Sequence, residues 1–193
     1  TPGKEVGMKT INFIFGCHSH QPVGNFDAVF HDAYRKAYLP FFDVLEKFPA
    51  VKVTQHFTGP LLEWFETHQP EFLERLGAMA RTGQIEIMGG GFYEPLLSAI
   101  PEQDGVDQIR WMAEFCTRHF GRAPRGMWLA ERVWEPHMPK IMSQAGVEYT
   151  ALDDTHFLTA GLTPDRLFGY YVTEYEGQTV KVFPILERLR YLV

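Results

Sequence analysis

The chain has 193 residues, of which 45% are hydrophobic and 15% aromatic, enough apolar material for the core of one domain or a large part of one. Its 24 acidic residues against 18 basic ones give a net charge of −6, which argues against a surface for nucleic acid or anionic membrane and for a small or neutral partner. Cys17 and Cys116 are too few for a disulfide framework, and no apolar run reaches membrane-spanning length or reads as a signal-peptide core, so a reducing cytoplasm is the expected location.

INFIFGC at residues 11–17 reads as the first strand. Tyr34, Ala37, Tyr38, Phe41, Leu45 and Phe48 then recur at helical spacing, and Pro40 is expected to break that segment into two helices. VKVTQHF at 51–57 is the second strand. Pro60 and Pro70 each mark a first helical residue, and Gly83 closes the second of those helices before the third strand, QIEIMG at 84–89. Val106, Ile109, Ala113, Cys116 and Phe120 form an apolar helical stripe. A fourth strand, GMWLAE at 126–131, leads into a short helix bracketed by Pro136 and Gly146, and EYTALDD at 148–154 is the fifth strand. YYVTEYEGQTVKVFPI at 170–185 reads as a hairpin turning at Tyr175, Glu176, Gly177 and Gln178.

This alternation predicts an α/β fold with a parallel sheet and outer helices. The polar residues favour a curled, barrel-like sheet over an open one. His18, Ser19, His20 and Gln21 follow the first strand, His56 ends the second, and residues 89–94 follow the third. Glu131 ends the fourth, and Asp153 and Asp154 end the fifth. A barrel gathers all such loops on one face, whereas an open sheet gathers only those beside its switch point. Five strands cannot close a barrel, and the sequence stops on the apolar run VFPILERLRYLV, so residues 1–193 are expected to be part of a longer catalytic domain, truncated at the C-terminus.

His18 and His20, two residues apart, face one side of an extended strand and with Gln21 offer donors and acceptors to one pocket. Such a pair hydrogen-bonds a substrate, ligates zinc or serves packing; for zinc, the third-ligand candidates His56, Asp153 and Asp154 have no diagnostic spacing. In GGGFYEP at 89–95, three glycines permit a sharp turn and a close approach, from which Tyr93 and Glu94 project; an ordinary turn with a solvated acid is the alternative. Asp153 and Asp154 either cap the next turn or accept sugar hydroxyls. His31, His68, His119, His137 and His156 read as surface or packing residues. WLAERVWEP at 128–136 places Glu131 at the end of a strand beside aromatic faces, the lining expected of a sugar cleft. Arg132 points away from Glu131 on an ideal strand, so Glu131 would pair with another group, while local positive charge would keep a nucleophilic carboxylate ionised. Glu131 therefore suits the nucleophile of a retaining glycosidase, and Glu135 suits a helix-start acid.

HSHQP (18–22), GGGFYEP, WLAERVWEP and ALDDTHF (151–157), in this order and spacing, resemble the N-terminal half of family 57 of the glycoside hydrolases. The resemblance continues through LFGYYVTE (167–174) and KVFPILERLRYL (181–192) and runs towards the 4-α-glucanotransferase members ahead of the α-amylases. It implies an incomplete (β/α)7 barrel and retaining cleavage or transfer of α-1,4-glucan, with an α-glucan or maltooligosaccharide as partner and no required metal or other cofactor. It makes Glu131 the nucleophile, with His18, His20, Glu94, Trp128 and Asp153 as substrate-binding residues. In that family the acid/base aspartate lies downstream of the segment matching KVFPILERLRYL, so the 193-residue chain alone is expected to be inactive. Self-association into a homo-oligomer is left open. Two rival readings stand beside this one: a metal-dependent carbohydrate deacetylase or mannosidase-like hydrolase, and a noncatalytic glucan-binding fragment.

Overall fold

The computed structural model describes residues 11–192. Each apolar run pairs in parallel with the next, because the amphipathic segment between them carries the chain back across the sheet. The strands are β1 (Gly16–Ser19), β2 (Val53–Phe57), β3 (Ile85–Met88), β4 (Gly126–Met127), β5 (Tyr149–Asp153), β6 (Tyr171–Tyr175) and β7 (Gln178–Ile185). They form a three-stranded sheet in the order β1-β2-β3 and a four-stranded sheet in the order β4-β5-β7-β6. A parallel bridge between Gly89 and Met127 joins the two: the Gly89 N–H donates to Gly126 O and the Trp128 N–H to Gly89 O, each at 2.8 Å. The sixth parallel strand is β7, read from the sequence only as the second arm of a hairpin; it pairs with β5 while β6 runs antiparallel along its outer edge. The expected hairpin is present, with Glu176 and Gly177 both at positive φ in its turn.

The helices are α1 (Asp27–Ala33), α2 (Leu39–Leu45), α3 (Gly59–His68), α4 (Pro70–Arg81), α5 (Glu102–Phe120), α6 (Met138–Gln144), α7 (Asp154–Thr159) and α8 (Glu187–Arg190). Pro40 does not break the helical path. A single π turn at Tyr34–Tyr38 links α1 to α2, with the Leu39 N–H donating to Tyr34 O, so the widened turn takes up the ring just before the position whose N–H is missing. Pro136 is likewise not a helix start; α6 begins at Met138 and carries Pro139 in its first turn.

Two apolar clusters flank the sheet. Phe42, Phe57, Leu61, Leu62, Phe65, Leu76 and Ile85 anchor the first, and Met127, Leu129, Met138, Ile141 and Val180 the second. α5 serves both: Met112, Phe115, Cys116 and Phe120 pack into the first, and Val106 and Ile109 into the second. Each fully buried side chain of this size contributes roughly 1.5–3 kcal/mol. Three of the buried polar side chains are tied to neighbouring groups. Gln55 donates to Ser19 Oγ (3.1 Å) and His56 O (2.7 Å), Thr150 donates to Met127 O (2.9 Å), and Gln84 donates to Leu45 O (2.7 Å). No described helix is long and apolar enough to cross a membrane.

Candidate active site

The carboxyl ends of the parallel strands bring together residues far apart in sequence. In the β1–β2 register His18 lies beside His56, and their Nδ1 atoms are 2.8 Å apart. Glu94 descends from the loop after β3 and places its carboxylate between two imidazoles, with Oε2 against His20 Nδ1 and Oε1 3.3 Å from His18 Nε2. The Glu94 side chain is 8% exposed and that of His20 is 47% exposed, so the pair runs from the protein interior to solvent.

The glycines of GGGFYEP are required sterically. A Cβ on Gly90 would lie 2.8 Å from His56 Nε2, and one on Gly91 would lie 2.7 Å from Pro95 Cδ. With only hydrogens there, the loop turns onto the second strand and Glu94 takes a left-handed conformation at φ 53°. Tyr93, from the same loop, is exposed and meets Trp111 edge to face.

Glu131 departs from the expected strand. β4 ends at Met127, the chain turns through a short 3-10 segment at Ala130–Arg132, and Glu131 is exposed on that turn at φ 51°, followed by Arg132 at φ 53°. Four non-glycine residues among those described have positive φ; three of them, Glu94, Glu131 and Arg132, lie here. Such backbone strain concentrates at functional sites. Arg132 pairs with Asp153: Nε lies 3.2 Å from Asp153 Oδ2, and its guanidinium sits 5.3 Å from the Trp128 ring centroid. Asp153 Oδ1 meets Arg190 Nη1 at 3.3 Å, so both carboxylate oxygens face a guanidinium. Asp154 accepts from the Glu187 N–H instead.

Trp128 stacks on His18 with centroids 4.7 Å apart and planes 17° from parallel. Gln21 does not join the pocket; its side chain is buried, donates to Tyr38 Oη (3.2 Å) and accepts from Asn25 (2.7 Å), because the chain bends after His20 rather than continuing as a strand. The partnership of Arg190 with Asp153 left no local signal in the sequence, being set by where β7 ends.

Burial is the main influence on the histidines. It pushes His18 down to about 4, with the charges of His20, Arg132 and Arg190 adding to the effect, and it pushes the fully buried His56 well below the usual range. Both are neutral at neutral pH. Burial raises the Glu94 carboxyl and the Glu131 charge adds to this, while the hydrogen bond and charge of His20 and the charge of Arg132 oppose it. Four buried side-chain polar atoms have no hydrogen-bond partner among the described residues, and three belong here: His56 Nε2, Glu94 Oε1 and Trp128 Nε1. Buried polar groups are normally paired, so an acceptor and a donor left open beside an aromatic face suit a polyhydroxylated ligand. One atom each from His18, His20 and Glu94 also lie within 4.8 Å of one another, a donor set that could hold a divalent metal; neither His56 nor Asp153 belongs to it.

The model of glycosyl hydrolase family 57 matches residues 14–193. The chain belongs to that family. Among its relatives, a 4-α-glucanotransferase of Thermococcus litoralis is 50% identical over 186 residues, covering 96% of this chain and 28% of the relative. An α-amylase of Pyrococcus horikoshii is also 50% identical over 186 residues, covering 29% of its own length. The chain thus spans less than a third of these relatives. The crystal structure of the T. litoralis 4-α-glucanotransferase superposes with a TM-score of 0.93 at 49% identity, over 96% of this chain and 29% of that one, in keeping with the expected α/β class of parallel strands and outer helices.

Proposed function

We propose that these residues form the nucleophile-bearing part of a retaining α-1,4-glucan site, with glucan transfer as the leading activity and hydrolysis as the alternative. Glu131 attacks the anomeric carbon and forms a glycosyl ester. A second carboxyl group protonates the departing oxygen and then activates the acceptor, water for hydrolysis or a sugar hydroxyl for transfer. His18, His20 and Glu94 bind sugar hydroxyls, and the exposed parts of the Trp128 ring offer an apolar face to the pyranose. Asp153 acts by holding Arg132 against that ring.

The observation that carries this reading is the open Glu94 Oε1 and Trp128 Nε1 beside the strained turn that presents Glu131. Membership of family 57 and the printed names of the relatives support the substrate class. The resemblance to family 57 implies an acid/base carboxyl downstream of the segment matching KVFPILERLRYL, so the 193-residue chain alone is expected to cleave no glucan.

The test incubates the complete gene product with a single maltooligosaccharide and follows product lengths over time. Products both longer and shorter than the starting sugar support transfer, and shorter products alone indicate an amylase. An unchanged sugar would refute the α-glucan reading.

A further inference from the structure

His56 is the one member of the cluster that no substrate can reach: it is 0% exposed, beneath the loop that carries Glu94. Among the described residues its only side-chain hydrogen bond joins its Nδ1 to His18 Nδ1, and its buried Nε2 has no partner. Gly90 packs so closely over that nitrogen that a methyl group would not fit. The three rings of His56, His18 and Trp128 lie nearly parallel, with 25° between the first two and 17° between the second two. A side chain this confined either fills space or sets the state of its neighbour.

We infer that His56 is a positioning residue: its Nδ1–H donates to His18 Nδ1, which fixes the proton of His18 on Nε2, where it faces Glu94. The inference deepens the glucan reading of the same site and rests on it for its catalytic consequence. The argument is one of proton counting. A neutral imidazole has one N–H, so the 2.8 Å contact between two Nδ1 atoms needs one ring as donor and the other as acceptor. With His18 as donor, its bare Nε2 lone pair would point at a carboxylate oxygen 3.3 Å away, and the N–H of His56 would be buried with no acceptor. With His56 as donor, an N–H faces the carboxylate, and the partnerless atom becomes a ring nitrogen lone pair. The second arrangement avoids both the repulsion and the unpaired donor. Burial disfavours a second proton on either ring, so both are neutral and one must donate to the other.

Held this way, His18 presents one fixed edge to Glu94 and one fixed face to Trp128. Losing the lock would let the ring take either tautomer and blur the position of both.

The experiment uses the complete gene product, labelled with 15N-histidine, and its turnover of a maltooligosaccharide. In the wild-type protein His18 should show a protonated Nε2 and a bare Nδ1, and His56 the reverse. His56→Leu should populate both tautomers of His18 and lower kcat/KM by about 10- to 100-fold, mainly in kcat, as expected when the partner that orients a site histidine is lost. His56→Asn, which keeps an N–H donor near the Nδ1 position, should restore most of that loss and the wild-type tautomer. A His18 that carries its proton on Nδ1 in the wild type overturns the proposal, as does His56→Leu with wild-type turnover and a single tautomer. If His56→Leu fails to fold, the wild-type spectrum and His56→Asn decide. A wild-type protein inert towards glucan would count against the glucan reading alone, because the spectrum still reports the His18–His56 pair.

Discussion

Glu131 and Arg132 are consecutive non-glycine residues that both occupy the left-handed region, at φ 51° and 53°. An L-residue there costs on the order of 1 kcal/mol, so the turn stores strain that the surrounding fold supports. Glu131→Gly should remove that cost and raise stability by about 0.5–1 kcal/mol in denaturant unfolding. The same change, measured in the complete gene product, should abolish turnover. A loss of stability would mean that the Glu131 side chain supports the fold.

Asp153 draws Arg132 and Arg190 together, and the side chains of Arg132 and Asp153 are only 15% and 25% exposed. Removing one partner of such a pair leaves the other charge poorly solvated. Asp153→Ala should therefore cost roughly 1–3 kcal/mol, and a double-mutant cycle with Arg132→Ala should show coupling above about 0.5 kcal/mol. Additive effects would mean that the two groups act independently.

The pH dependence of stability follows from His18. Its folded value is lowered to about 4 from an ordinary 6.5, so below pH 6.5 the unfolded chain takes up a proton that the folded chain refuses. Stability should fall as pH drops from 6.5 to 4, by up to about 3 kcal/mol, and this contribution should level off below pH 4. His56 acts in the same direction. His18→Gln should flatten the slope in that window in urea titrations; an unaltered slope would show that His18 is not the group responsible.

Gly90 tests the close packing of the loop. Gly90→Ala would bring a methyl group to 2.8 Å from His56 Nε2 and 3.2 Å from Trp128 O, so it should destabilise by about 1–3 kcal/mol and lower activity together. Gly121, which ends α5 at φ 83° with open space around its Cβ position, should show a smaller cost on substitution, from backbone strain alone. Thermal unfolding of both variants gives the comparison.

Most of the α/β alternation was legible because short apolar runs and helical stripes have different periods, and Pro60, Pro70 and Gly83 mark where one gives way to the other. Glu131 could not be placed correctly from its run: GMWLAE is apolar enough for a strand, yet pairing stops at Met127, and only the backbone reveals the turn. Pro40 misled because a π turn is a property of the backbone path and has no sharp residue signature. His18, His20 and Glu94 were found as separate strand-end candidates, but their convergence depends on register between parallel strands, as does the contact between His18 and His56. Gln21 shows the limit of alternation: the argument holds only while the strand continues, and β1 ends at Ser19.

The account rests most directly on Glu131 as the residue that becomes glycosylated. A fluorinated α-glucosyl fluoride, which slows breakdown of the glycosyl-enzyme, should label the complete gene product, and an acidic tryptic digest analysed by mass spectrometry locates the ester. The peptide GMWLAER at residues 126–132 contains Glu131 as its sole side-chain carboxylate, so the added sugar mass should fall on it. A label on any other peptide, or steady turnover with no covalent adduct, would contradict the assignment.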